Sequence, residues 1–277
     1  MLPPGVQPPP VGGLQEGPLD KLILQDQAPW TFSSNQLAIT DNGFSYTVVD
    51  TATFPTVNLS PYKVIILAGQ QSPAYYAAIS SDPIKSILHD FVYDGGVLLV
   101  HMAALFSNEP ATLNLPGAPS LGIVTDATTN DVSVAFPGHP IMNGPWGVVT
   151  DTNMDIWGAS SHGHFTNLPY NTLTIMVEGP ISSNPGKPTY VQWKFGDGIV
   201  VATRSPLEFG YTYLGTDNSM RPLRNEIAFA QAYKPLKPVG GELVAPSTLP
   251  FSNLIALAIV SGAIIAAGVT VRRRLQA

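Results

Sequence analysis

The chain has 277 residues, 44% hydrophobic but only 12% charged, with 27 prolines, 25 glycines and no cysteine. That length holds one large domain or two small ones, and the missing cysteine excludes disulfides, thiolate metal sites and a thiol nucleophile. All 19 acidic residues but only ten of the 13 Lys and Arg precede residue 251, a net charge of −9 that argues against a nucleic-acid partner.

Residues 1–20 are rich in Pro and Gly, with Leu2-Pro3-Pro4-Gly5 and Pro8-Pro9-Pro10, and are expected to be extended or disordered. They lack the basic start and apolar core of an export signal. Residues 21–232 read as one α/β domain. Lys21 to Asp26 is the first strand. Ser33 or Ser34 opens a short helix that stops at Asn42-Gly43. Phe44 to Val49 alternates like a strand. Lys63 to Gly69 is a short, continuous, β-branched run, the signature of a strand buried on both faces. Asp82-Pro83 supplies a helix start, and Ile84, Ile87, Leu88, Phe91 and Val92 form one apolar stripe. Gly95-Gly96 ends that helix. Val97 to Val100 is a second buried strand, which delivers His101 and Met102 at its carboxyl end. Strand, helix, strand of this length makes a right-handed parallel unit. The expected fold is a flavodoxin-like, doubly wound, mostly parallel sheet in three αβα layers, with ligand chemistry outside the carboxyl ends of the strands.

Beyond His101 the pattern loosens. Residues 106–130 read as a functional loop or an insertion over the sheet edge. Val132 to Phe136, Trp146 to Val149 and Ile156-Trp157 read as short strands. Leu173 to Glu178, Pro188 to Lys194 and Gly198 to Thr203 are further strands, the last two joined by a hairpin with an Asp-Gly signature at Asp197-Gly198. Arg224 to Tyr233 forms a closing helix. Residues 233–250 are a Pro-rich linker. Residues 251–271 hold no charge and suffice to span a bilayer as a transmembrane helix. Arg272-Arg273-Arg274 in the tail, 272–277, is expected to stay cytoplasmic, which places the domain outside the cell.

Three stretches carry a family resemblance: Tyr93 to Ala104, His139-Pro140-Ile141-Met142-Asn143-Gly144, and Phe195 to Thr203. Together they resemble the class I glutamine amidotransferase-like superfamily, and within it the ThuA-like branch. The superfamily's amidotransferases use a cysteine at the strand-to-helix elbow. Here Met102 or Ala103 occupies the elbow, and a thioether cannot become a thiolate. Amidotransferase and cysteine hydrolase activities are therefore excluded. The ThuA-like branch also lacks that cysteine, and the resemblance implies a carbohydrate-related role.

The candidate residues gather around this frame. His101, at a central strand end, and Glu208 are candidate catalytic groups. Asp26, His101, Met102, His162, His164 and Glu208 are candidate ligand-binding residues, and the His162-Gly163-His164 pair has metal-ligand spacing. His139-Pro140 reads as a turn. Trp30, Trp157, Tyr75 and Tyr76 are candidates to stack on a sugar. No cofactor motif is present. The expected function is a membrane-anchored surface protein whose domain is a non-catalytic ligand-binding or interaction module, which the resemblance relates to carbohydrate. The alternatives are a His- or metal-dependent enzyme acting on carbohydrate and a structural cell-envelope component. Expected partners are the lipid bilayer, through 251–271, and a carbohydrate or cell-envelope partner.

Overall fold

Four apolar runs, Leu22–Leu24, Val64–Leu67, Val97–Val100 and Ile199–Ala202, are buried along their whole length. Strands of that kind need cover on both faces, so they form the middle of a layered sheet. The computed structural model describes residues 20–104, 108–126, 131–155 and 160–234. In chain order the elements are β1 (Asp20–Leu24), α1 (Ser34–Asp41), β2 (Ser45–Val49), β3 (Tyr62–Leu67), α2 (Pro73–Ile79), α3 (Ile84–Tyr93) and β4 (Val97–His101). Then come β5 (Thr112–Leu115), β6 (Ala118–Thr125), β7 (Val132–Val134), β8 (Asn143–Gly144), β9 (Gly147–Val148), α4 (Asp151–Met154) and β10 (Gly163–Thr166). The last group is β11 (Leu173–Glu178), β12 (Pro188–Phe195), β13 (Gly198–Thr203), α5 (Leu207–Phe209), a π-turn at Gly210–Leu214 and α6 (Asp217–Ala232).

The main sheet has eight strands in the order β2-β1-β3-β4-β13-β12-β11-β7. Neighbours are parallel from β2 to β13, and antiparallel from β13 to β7. The fold is therefore a mixed α/β sheet with a parallel half. Alternate residues of each central strand face opposite layers. Leu22, Ile65, Leu98 and Val200 pack with α2, α3 and a separate three-stranded sheet, β10-β6-β5. Ile23, Val64, Leu99 and Val201 pack with α1 and α6 through Ala38, Ile39, Leu223, Ile227 and Ala230. At the amino pole of the sheet, the chain enters at β1 and leaves at the end of α6 side by side. Lys21 Nζ donates to Gln231 Oε1 at 2.5 Å and Lys63 Nζ to the Gln231 carbonyl at 2.6 Å.

Several sequence expectations need correction. Part of the supposed loop at 106–130 is the β5–β6 hairpin of the second sheet, turned at Pro116-Gly117, where Gly117 has φ +75°. A seven-residue helix, α2, was not expected; Ser72 caps it by accepting from the Tyr75 amide, with Pro73 at its first position. The N-cap position of α3 is Pro83 rather than Asp82, whose carboxylate accepts from Ser86 Oγ and Lys85 Nζ. The closing helix starts at Asp217, seven residues before Arg224, on a Thr216–Ser219 capping box. In the β12–β13 hairpin the positive φ, +59°, falls on Gly196 rather than on Gly198. Among the described residues no helix is long and apolar enough to cross a membrane. Residues 251–271, the Pro-rich segments and Trp157 lie outside the described residues.

Candidate functional site

β4 brings His101 to the carboxyl end of the sheet, flanked by β3 and β13. The imidazole has no solvent exposure. Its Nδ1 lies 2.8 Å from Glu208 Oε1, and its Nε2 lies 2.8 Å from Glu226 Oε2. Both carboxylates are equally sealed. Glu226 comes from the inward stripe of α6, and its other oxygen accepts from Tyr190 Oη at 2.5 Å. Glu208 comes from α5, and its Oε1 also accepts from the Gly69 amide at 2.9 Å and Asn35 Nδ2 at 3.2 Å. Glycine at position 69 leaves room for this approach, because a Cβ would come within 2.9 Å of Glu208 Oε2 and 3.2 Å of the Ala103 carbonyl. Burial alone would drive the His101 pKa down, but the two carboxylates outweigh it and push it up to about 10. The imidazolium in turn holds the Glu208 carboxyl below its usual range, against the pull of burial.

The elbow after β4 is filled. Met102 and Ala103 are buried, and Met102 belongs to the core with α2 and α3. The Met102 amide donates to the Thr203 carbonyl at 2.8 Å. Its carbonyl accepts from Arg204, which also donates to the His162 carbonyl. Arg204 forms a buried ion pair with Glu109 at 2.8 Å. One guanidinium thus ties the ends of β4 and β13 to the segments leading into β5 and β10, as its planar fork of donors allows.

The remaining candidates do not converge. Asp26 is exposed, and its carboxylate accepts from the Thr51 amide and hydroxyl at 2.8 and 2.9 Å. His162 is buried and 3.0 Å from the Ala104 carbonyl through Nδ1, which must therefore carry the proton. Burial drives the His162 pKa down to about 4. His164, within β10, pairs with Glu178 at 2.9 Å. The two histidines share no partner, and among the described residues no group of three or more His, Asp or Glu could hold a metal ion. His139 does sit in a turn, with Nε2 3.0 Å from Gln192 Oε1. Tyr75 and Tyr76 are core residues, and Tyr75 Oη donates to the Leu24 carbonyl. Trp30 alone of the described aromatic candidates is half-buried at this pole, edge-on to His162 and to Phe209 at 5.6 and 5.3 Å between ring centroids.

Glu226, Tyr190, Arg204, Glu109 and Gln71 are the site residues that sequence reasoning missed. Gln71 is buried and zips the loops after β1 and β3, accepting from the Asp26 and Gln27 amides and donating to the Gln27 and Gly69 carbonyls. A signal existed for Glu226. It falls on the Leu223–Ile227–Ala230 stripe, where a lone charge requires a buried partner. Nothing local marks Arg204, whose partners are distant in sequence.

No family model matches the chain. Among curated proteins, an uncharacterized protein of Clostridium acetobutylicum is 23% identical over 211 residues, covering 75% of this chain and 20% of that protein. The chain thus spans about a fifth of that relative's length. Among solved structures, the cytoplasmic protein STM3548 of Salmonella typhimurium matches with a TM-score of 0.52 at 10% identity, over 76% of this chain and 98% of that one. The cytoplasmic protein STM1381 of Salmonella typhimurium LT2 matches with a TM-score of 0.50 at 10% identity, over 76% and 99%. At that identity the likeness concerns the fold alone, a mixed α/β architecture.

Proposed function

We propose that this protein is a membrane-tethered surface protein whose ThuA-like domain binds a carbohydrate or cell-envelope partner without turning it over. The observation that carries this reading is the sealing of His101. A general acid or base must reach the proton it moves, and His101, Glu208, Glu226 and Met102 are all shut away from solvent. The imidazole is saturated by two carboxylates, and its raised pKa holds the proton at working pH rather than exchanging it. The tether reading rests on the charge-free run 251–271 and the arginines after it.

The test uses the full chain in lipid vesicles. It is offered L-glutamine, a panel of nitrophenyl glycosides and isolated cell-wall polysaccharides. The expected result is co-sedimentation with a polysaccharide and no turnover of any compound. Turnover that His101→Gln abolishes while the circular dichroism spectrum is kept would establish the enzyme alternative instead.

A further inference from the structure

At the amino pole of the sheet, opposite His101, a cleft of about 640 Å³ opens between the start of β3, the start of β4 and α3. Leu59, Ile87 and Phe91 form its apolar lining, and each is only partly covered by the core behind it. Gly96 shapes the floor, because any side chain there would overlap the Phe91 ring. Asp90 and Asp94 also line the cleft. Lys63 lines it too, but its ammonium is engaged by the Gln231 carbonyl.

The two acids stand where helix stability opposes them. Asp90 lies in the last turn of α3 and Asp94 is its C-cap, at the negative end of the helix dipole, with no basic residue in that turn. They are four residues apart, so like charges are neighbours on one face. Among the described residues the one ion-pair contact of Asp90 is with the exposed His89, at 3.4 Å, and Asp94 has none. A carboxylate pair placed against the dipole and against itself, on the wall of an apolar cleft, matches a cation attached to an apolar body.

We propose that this cleft binds a basic peptide segment. One Lys or Arg side chain sits between Asp90 and Asp94, and the adjoining apolar side chain lies on Phe91, Ile87 and Leu59. The site is distinct from the carboxyl pole and does not depend on what binds there.

The experiment titrates the full chain in detergent micelles with acetyl-Leu-Arg-Leu-amide, followed by calorimetry at low salt. The same peptide with norleucine for Arg is the neutral control. Saturable binding is expected. It should weaken by about tenfold or more with norleucine and with Asp90→Asn/Asp94→Asn, and fall as salt rises. Both aspartates are exposed, so the double variant keeps its fold, as its circular dichroism spectrum will report. Absence of saturable binding at millimolar peptide, equal affinity for the norleucine control, or an unchanged affinity in the double variant would each overturn the proposal.

Discussion

His101 is the centre of a sealed chain of one imidazolium, two carboxylates and a phenol, all without solvent contact. Removing one member leaves a charge buried without its partner, so His101→Ala should cost about 3–5 kcal/mol in urea unfolding. The pH dependence has a definite sign. The folded pKa of His101, about 10, lies above the unfolded value near 6.5, so the native state holds an extra proton between them. That stabilisation is complete below about pH 6.5 and disappears as pH rises through about 10. Thermal melts should show the midpoint falling across that window, and the fall should vanish in His101→Gln. His162 acts in the opposite sense. Its folded pKa, about 4, is below the unfolded value, so its contribution is lost as pH falls from about 6.5 through 4. His101 was visible in the sequence because a polar residue ended a buried strand. Its clamp was not, because Glu208 and Glu226 follow more than a hundred residues later and meet it only when α5 and α6 close over the sheet.

Elements with strong local patterning were read almost to their ends. β11 and β13 match the expected bounds, and the stripe of α3 places Ile84, Leu88 and Val92 in the core. The second sheet was missed because β5 and β10 have only four residues each and β6, though eight long, does not alternate regularly between buried and exposed positions, while β10 joins β6 from some forty residues away. Only Pro116-Gly117 pointed to a turn, and Gly117 does take the positive φ that the second central position of a type II turn requires. The β10–β6 seam relies on glycine at two positions, Gly122 and Gly163. Gly163 has φ +109°, and a methyl there would overlap the Val124 carbonyl. Gly163→Ala should therefore destabilise far more than Gly43→Ala, whose site has open space, and the two can be compared directly by denaturant midpoint. The acids at the end of α3 predict a gain instead. Asp90→Asn/Asp94→Asn should raise stability by about 0.3–1 kcal/mol at low ionic strength, an increment that salt removes.

For the whole molecule, the solved structures compared share the mixed α/β fold, while the proposed membrane tether rests on composition alone. Removing residues 251–277 is expected to move the protein from the membrane pellet to the soluble fraction, and the intact chain should resist carbonate extraction. Protease added to intact cells should digest the domain if it lies outside.

The latch at Gln231, gripped by Lys21 and Lys63, holds the entry and exit of the backbone close together. A body with adjacent ends can be spliced into a surface loop of a carrier protein with little spacer and no stretching of either polypeptide. Residues 20–234 should accordingly work as a portable cassette, and Gln231→Ala, which loosens the latch, should make such a chimera melt earlier.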